Sequence, residues 1–317
     1  MSYGFSGRLS SKFPSQVMVD ITEVCNLGCI HCAHPSFKLS KVYQKSMLPP
    51  ELNKKMIDEV FDAGKGFTKY IRYTSNGEPL VHPKSYEMIL YAVQNSGTKV
   101  TLTTNGTLLN EKRMNRLLET GLHMIDVSLD AFHNETYKQI RVGGNLDITK
   151  KNVLKLLELN KKNNYKTKII ISFVEQKKNS SEIELFKKFW KNMGANEVLI
   201  RKLHTNSGSN ENDLVNDYKN RTPCLYPWER VVLTAKGMLS FCPTDWYGKS
   251  EIVNYRKATI QQVWQNNFYK NLREQHLSCK FSNKFCKNCP DWKNTSWPDD
   301  HNKSYADLVE TVLYNES

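Results

Sequence analysis

The sequence predicts an α/β protein: six strand–helix units over residues 17 to 201, then a shorter, irregular, cysteine-bearing region. Three observations carry this. Short β-branched runs alternate with longer stretches of helical spacing, which argues for parallel βαβ units, because a parallel neighbour is reached only through a crossover. A polar, turn-forming stretch, "NSGSNENDLVNDYKNRTP", breaks the pattern between Asn206 and Pro223. No Gly-x-Gly-x-x-Gly follows the first strand, which counts against a dinucleotide-binding sheet and leaves other open sheets and complete or partial barrels. The expected organisation is residues 1–206, a linker at 207–222, and a second region at 223–317.

In chain order, "VMVDI" (17–21) reads as the first strand, followed by a loop with three cysteines. Pro49-Pro50 opens a helix whose Leu52, Met56, Ile57, Val60 and Phe61 share one face. "YIRYTS" (70–75) is the second strand, and a helix at about 84–95 stops at Ser96-Gly97. "KVTLTT" (99–104) is the third, and Asn110 caps a helix carrying Met114, Leu117 and Leu118. "MIDVSL" (124–129), "KIIISFV" (168–174) and "EVLIR" (197–201) complete the six, separated by "ITKKNVLKLLELNKK" and "SEIELFKKFWKNMG" as helices. Beyond the break, "ERVVLTAKGMLSF" reads as a hairpin turning at Lys236-Gly237, and a helix is expected from Ile260 to Gln275. A region this short and irregular needs a metal staple.

The longest apolar run, "IIISFV", is far shorter than a bilayer span, and the N-terminus lacks a signal-peptide core, so a cytoplasmic protein is expected. The formal charge of +13 fits an acidic partner, but the lysines are scattered and no arginine–aromatic run points to nucleic acid. Eight cysteines in a chain of this length argue for metal or redox chemistry over disulfides. They fall in two groups, Cys25, Cys29 and Cys32, then Cys224, Cys242, Cys279, Cys286 and Cys289.

A structural zinc site closes with four protein ligands, whereas a reactive metal centre keeps a position open. Three thiols in eight residues suit an iron–sulfur cube with one free iron, or a zinc knot completed by His31 or His34. Cys25-x-x-x-Cys29-x-x-Cys32 after the first strand resembles the signature of radical S-adenosylmethionine (radical SAM) enzymes. Three further elements follow in the family's order. "SNGEPLVHP" resembles the Gly-Glu-Pro motif, "TTNGTLL" the Thr-Asn-Gly element and "VSLDAFHNETYKQIR" the strand-four element. Taken singly, Gly77 reads as a turn glycine, Asn105-Gly106 as a tight turn and Asp130 as a helix cap. Four motifs in order, each behind a predicted strand, do not.

The resemblance spans about residues 15 to 201 and implies a partial (βα)6 TIM-type barrel. It implies a 4Fe–4S cluster on Cys25, Cys29 and Cys32, with SAM bound by Gly77, Glu78, Asn105, Ser128, Asp130 and Arg141. An external reductant such as flavodoxin or ferredoxin would feed that cluster, and SAM cleavage would yield a 5′-deoxyadenosyl radical.

Cys224-x12-Gly237-x4-Cys242 with Cys286-x-x-Cys289 resembles the SPASM and twitch extensions, small C-terminal domains that bind auxiliary 4Fe–4S clusters. A full SPASM domain carries seven cysteines, and this region has five. It is closer to the single-cluster arrangement of the butirosin-pathway aminocyclitol dehydrogenase, with Cys279 left over: a buried free thiol first, with an alternative cluster ligand or a substrate-facing residue as the other readings. A four-thiolate zinc ribbon has the same spacing.

An auxiliary cluster held by four protein thiolates would carry electrons, which favours oxidation of a small polar molecule such as an aminocyclitol, amino sugar or nucleotide sugar. Lys202, His204 and Asp245 are the candidate proton acceptors. Peptide or protein modification is the alternative. Only 24 residues precede Cys25, which leaves no room for the leader-binding domain of many peptide modifiers. A non-catalytic zinc module is the remaining reading.

Overall fold

A computed structural model describes residues 3–74, 76–207, 221–295, 297 and 305–314. Most of the expected linker and Ser75 of the second predicted strand lie outside the described residues. One nine-stranded sheet organises the chain: β1 (Gln16–Val19), β2 (Tyr70–Tyr73), β3 (Lys99–Thr104), β4 (Met124–Ser128), β5 (Lys168–Val174), β6 (Glu197–Arg201), β7 (Arg230–Leu233), β8 (Met238–Ser240) and β9 (Glu251–Asn254). Its order is β6-β5-β4-β3-β2-β1-β7-β8-β9. From β1 to β6 every pairing is parallel.

The crossovers carry α1 (His34–Lys38), α2 (Pro50–Asp62), α3 (Ser85–Asn95), α4 (Glu111–Glu119), α5 (Asn134–Ile140), α6 (Leu146–Lys162) and α7 (Ile183–Asn192). These six units form the partial barrel. Helix starts obey local chemistry: Pro50 opens α2, and the Asn110 and Asn145 side chains accept from backbone N–H groups of α4 and α6. Phe61, expected on the apolar face of α2, is 46% exposed at its edge.

Strand alternation sorts residues to two sides. Val17, Val19, Ile71, Val100, Leu102, Ile125, Val127, Ile169 and Ile171 pack outward against the helices with Met56, Ile89, Leu117 and Val153. Tyr70, Met124, Ile170 and Leu199 point inward, where α12 (Tyr305–Tyr314) plugs the barrel with Val309 and Leu313. Burying each of those two side chains contributes about 1.5–3 kcal/mol.

The C-terminal region continues the same sheet. β7 pairs in parallel with β1, and β8 and β9 follow as an antiparallel meander. The hairpin turns at Gly237, whose φ of +75° favours glycine. β9 has no counterpart in the sequence reading. The helix expected over 260–275 is two, α9 (Ile260–Gln265) and α10 (Asn267–Ser278), after the four-residue α8 (Tyr226–Glu229) and before α11 (Lys284–Asn288). The break falls at Asn266, which is extended (φ −72°, ψ 170°) and caps α10 by accepting from Tyr269 N–H. Cys279, expected to be buried, is exposed. It ends α10 in the left-handed conformation at φ +52°.

Candidate functional site

β1 delivers the chain to the cysteine loop. Thr22 Oγ1 accepts from Val24 N–H at 3.0 Å, and the Glu23 carboxylate accepts from the N–H groups of Gln44 (3.0 Å) and Ser46 (2.9 Å), tying the loop entrance to a second segment. A tight turn joins Cys32 N–H to Cys29 O at 3.1 Å. On the far side, Gly28 and Ile30 donate to the carbonyls of Val142 (2.9 Å) and Ile140 (3.0 Å), clamping the loop to the end of α5. Burial pushes the Cys25 thiol up to about 11 and Cys32 to about 12. It raises Cys29 as well, against the pull of the Arg141 guanidinium.

The three downstream motifs converge on this loop. A Cβ on Gly77 would lie 2.4 Å from Thr22 O and 2.5 Å from Val24 O, and Glu78 N–H donates to Val24 O at 2.9 Å. Gly77 is therefore a close-approach glycine, not a turn glycine: the two backbones touch where a side chain would stand. Glu78, expected at the SAM amino group, braces the next loop. Its carboxylate accepts from Thr104 Oγ1 (2.7 Å), Asn105 N–H (2.7 Å) and Leu80 N–H (3.1 Å). Burial raises its pKa against those bonds. Asn105 Nδ2 donates to Asn26 Oδ1 at 2.9 Å, and Asn26 Nδ2 donates to Thr107 Oγ1 at 2.7 Å, so the Thr-Asn-Gly turn grips the residue after Cys25.

Asp130 is fully buried, with a left-handed φ of +63°. Burial alone would push its carboxyl up, but Arg141 holds it below the usual carboxylate range. Arg141 donates through Nε (2.8 Å) and Nη2 (2.5 Å) to Oδ2, and Val174 N–H donates to Oδ1 at 2.7 Å. Asp130 and Arg141, expected with Ser128 at the ribose and carboxylate of SAM, form a buried ion pair, and the Arg141 guanidinium also reaches Cys29. Ser128 lies on the inner side of β4, where Arg201 Nη2 donates to its Oγ at 3.4 Å.

Both histidines beside the triplet are engaged elsewhere. His34 Nε2 donates to Glu23 O at 2.9 Å, and His31 faces Asp130 (3.5 Å) and Gln176 (3.4 Å). Burial lowers His31 to about 4, so the ring is neutral at pH 7. Among the described residues no three His, Cys, Asp or Glu side chains converge tightly enough to hold a single metal ion.

Four of the five later cysteines, Cys224, Cys242, Cys286 and Cys289, line one pocket walled by Pro227, Phe241, Phe285 and Trp292. The hairpin supplies Cys242, and α11 supplies Cys286 with Cys289 as its C-cap. Arg221 fixes the α11 turn by donating to Cys286 O (2.8 Å) and Lys287 O (3.0 Å). Burial raises all four thiols, Cys242 to about 12. Cys279 does not line the pocket. Its Sγ lies 3.6 Å from Arg221 O.

Between the two cysteine groups lies a cavity of about 310 Å³. Its wall includes His31 from the first loop, Arg72 from β2, Arg201 from β6, His204, Arg230 from β7, Trp246 and Tyr305. Of the three predicted proton acceptors, only His204 reaches it. Lys202 is exposed, and Asp245 is occupied by the N–H groups of Tyr247 (3.0 Å) and Ser250 (2.5 Å). Sequence reasoning missed Arg72, Asp126, Arg201, Arg230 and Tyr305. The available signal was charge at alternate positions within apolar strands, as in "YIRY", "MIDVS" and "EVLIR".

Comparison with known proteins agrees with this architecture. Residues 19–184, just over half of the chain, match the radical SAM superfamily, and residues 224–290 match SPASM, an iron–sulfur cluster-binding domain. The AdoMet-dependent heme synthase of Methanosarcina barkeri is 35% identical over 128 residues, 40% of this chain and 34% of that protein. The chain thus aligns with about a third of the length of that relative. Among solved structures, BtrN in complex with AdoMet and 2-DOIA superposes with a TM-score of 0.59 at 19% identity, over 88% of this chain and 94% of BtrN. SuiB of Streptococcus suis, bound to precursor peptide SuiA, superposes with a TM-score of 0.67 at 14% identity, over 89% of this chain and 71% of SuiB. These two show a shared fold. The chain belongs to the radical SAM superfamily, carries a C-terminal SPASM domain, and has SAM and 4Fe–4S clusters as its cofactors.

Proposed function

We propose that the chain is a radical SAM oxidoreductase that dehydrogenates a small polar molecule held in the cavity between its two cysteine groups. One observation carries the reading: Tyr226 and Thr244 line both that cavity and the four-cysteine pocket, and Thr244 Oγ1 lies 3.2 Å from Cys242 Sγ. A substrate there sits one side chain from the auxiliary thiolates and, through His31, next to the first cysteine loop. The cavity volume lies at the lower end of the small-ligand range.

In this reading Cys25, Cys29 and Cys32 hold the SAM-binding cluster, and Cys224, Cys242, Cys286 and Cys289 close the auxiliary one. The barrel is residues 1–206, the linker 207–222 and the cluster domain 223–317. When bound, the first cluster supplies the electron that splits SAM into methionine and a 5′-deoxyadenosyl radical. The chain's own residues orient and shield. Gly77, Glu78, Asn105 and Ser128 frame the SAM end, and the Asp130–Arg141 pair steadies the loop. His204, lowered by burial, is neutral at pH 7, and its buried Nδ1 has no hydrogen-bond partner. It is the proposed acceptor of the proton that dehydrogenation releases. A low-potential flavodoxin or ferredoxin in the cytoplasm would be the electron donor. No helix among the described residues is long and apolar enough to cross a membrane.

The test is 5′-deoxyadenosine formation from SAM by anaerobically reconstituted, dithionite-reduced protein. The wild type is expected to form it and a Cys25/Cys29/Cys32→Ala triple variant to form none. No deoxyadenosine from the wild type overturns the reading.

A further inference from the structure

The inner surface of the barrel carries a charge imbalance that the protein leaves unresolved. Arg230 is neutralised by Glu229, which accepts from its Nε at 2.7 Å. Arg72 and Arg201 are not matched in this way. Both approach one carboxylate, Asp126, at 3.7 and 3.8 Å, beyond hydrogen-bonding distance. The two Asp126 oxygens are instead taken by Ser172 Oγ at 2.5 Å and Tyr305 OH at 2.6 Å.

What the guanidiniums do bond is uncharged. Arg72 donates through Nε (3.2 Å) and Nη2 (3.0 Å) to Thr103 Oγ1, and Arg201 donates through Nη2 to Ser128. Arg201 Nε is buried without a partner. The Tyr305 ring, 4.0 Å from the Arg72 Cζ and 5.0 Å from the Arg201 Cζ, holds both groups in place against the cavity. Two cations thus share one anion in a partly desolvated chamber, with a donor left over, an arrangement that costs free energy until a second anion arrives.

We propose that the substrate carries an oxyanion, a carboxylate or a phosphate, that seats between Arg201 and Arg72 and so fixes which carbon faces the SAM side of the cavity. This rests on the reading of the cavity as the substrate site. The guanidinium fork matches either oxyanion in two-point contact, and Tyr305 pre-organises it. Neutral aminocyclitols and cationic amino sugars without an acidic group would leave Arg201 Nε unpaired and are selected against.

SAM also carries a carboxylate, so the test saturates its site first. Reconstituted holoenzyme loaded with SAM, without reductant, is titrated calorimetrically with inorganic phosphate and, separately, with malonate. Saturable binding of at least one is expected, weakened about tenfold or more in Arg201→Gln and in Arg72→Gln. Arg201→Lys, which keeps the charge but loses the fork, is expected to fall between. A Lys166→Gln/Lys168→Gln variant, altered in a lysine-lined groove remote from this cavity, is expected to bind as the wild type. Circular dichroism melting establishes that each variant is folded. Phosphate binding alone assigns a phosphorylated substrate, and malonate binding alone a carboxylic acid.

The proposal is overturned by absence of saturable binding to the SAM-loaded protein, or by undiminished binding in both folded arginine-to-glutamine variants. Failure of SAM cleavage by the wild type would instead overturn the functional reading and leave this titration standing.

Discussion

Gly77 shows how one missing methyl group organises a site. Two carbonyl oxygens stand within 2.5 Å of where its Cβ would be, so Gly77→Ala has to push the Glu78 loop off the cysteine loop. The expected cost is about 1–3 kcal/mol of stability, together with weaker SAM binding, read by thermal melting and equilibrium dialysis. Arg141 makes a different demand. Replacing it with Gln leaves Asp130 charged and buried, and breaking such a pair costs about 3–5 kcal/mol. Arg141→Lys should recover part of that loss in a melt, because it restores the charge without the fork. The motif residues were legible in the sequence because each stands behind a strand in a fixed order. Their internal duties were not, since only the folded loops bring Glu78 to Asn105 or Arg141 to Asp130.

At the scale of elements, the six parallel strands and their helices could be read directly, and three of the strand boundaries fall where the β-branched runs begin and end. Departures arise where a polar side chain outcompetes periodicity. The apolar pattern runs through Asn266, yet that side chain caps the next helix and splits the expected one in two. β9 escaped because its "EIVN" is half-buried throughout, with no alternation to betray it. Cys279 was expected in a core and stands instead at a helix C-terminus in left-handed geometry, a choice no spacing rule encodes. Cys279→Gly should therefore raise stability by about 0.5–1 kcal/mol and leave the auxiliary iron content unchanged. Cys224→Ala should remove that iron. A melt and an iron assay on the two variants separate the roles.

For the whole molecule, the sheet unites what the sequence divides. β7 pairs with β1, so the cysteine-bearing hairpin lies beside the strand that launches the first cysteine loop, and neighbours of both groups, His31 and Thr244, line one cavity. α12 closes the other end of the barrel and carries Tyr305 to the arginines. Its Glu310 stands near Arg8, Glu229 and Asp307, and burial raises it to about 7 despite Arg8. Between the ordinary carboxyl value near 4.5 and about 7 the folded state holds a proton that the unfolded state has lost. Stability from this group is therefore present at low pH and is lost as pH rises through about 7. Glu310→Gln should melt like the wild type at pH 5 and be more stable than it at pH 8, by about 1–3 kcal/mol.

The central claim is that two thiol sets hold two separate clusters, one open to SAM and one closed. Iron and acid-labile sulfide counted after anaerobic reconstitution test it most directly. The wild type is expected to hold about eight irons, and about four should remain both in the Cys25/Cys29/Cys32→Ala variant and in a Cys286→Ala/Cys289→Ala variant. Stoichiometric zinc with no iron, or one variant losing all the iron while the other loses none, would contradict the account.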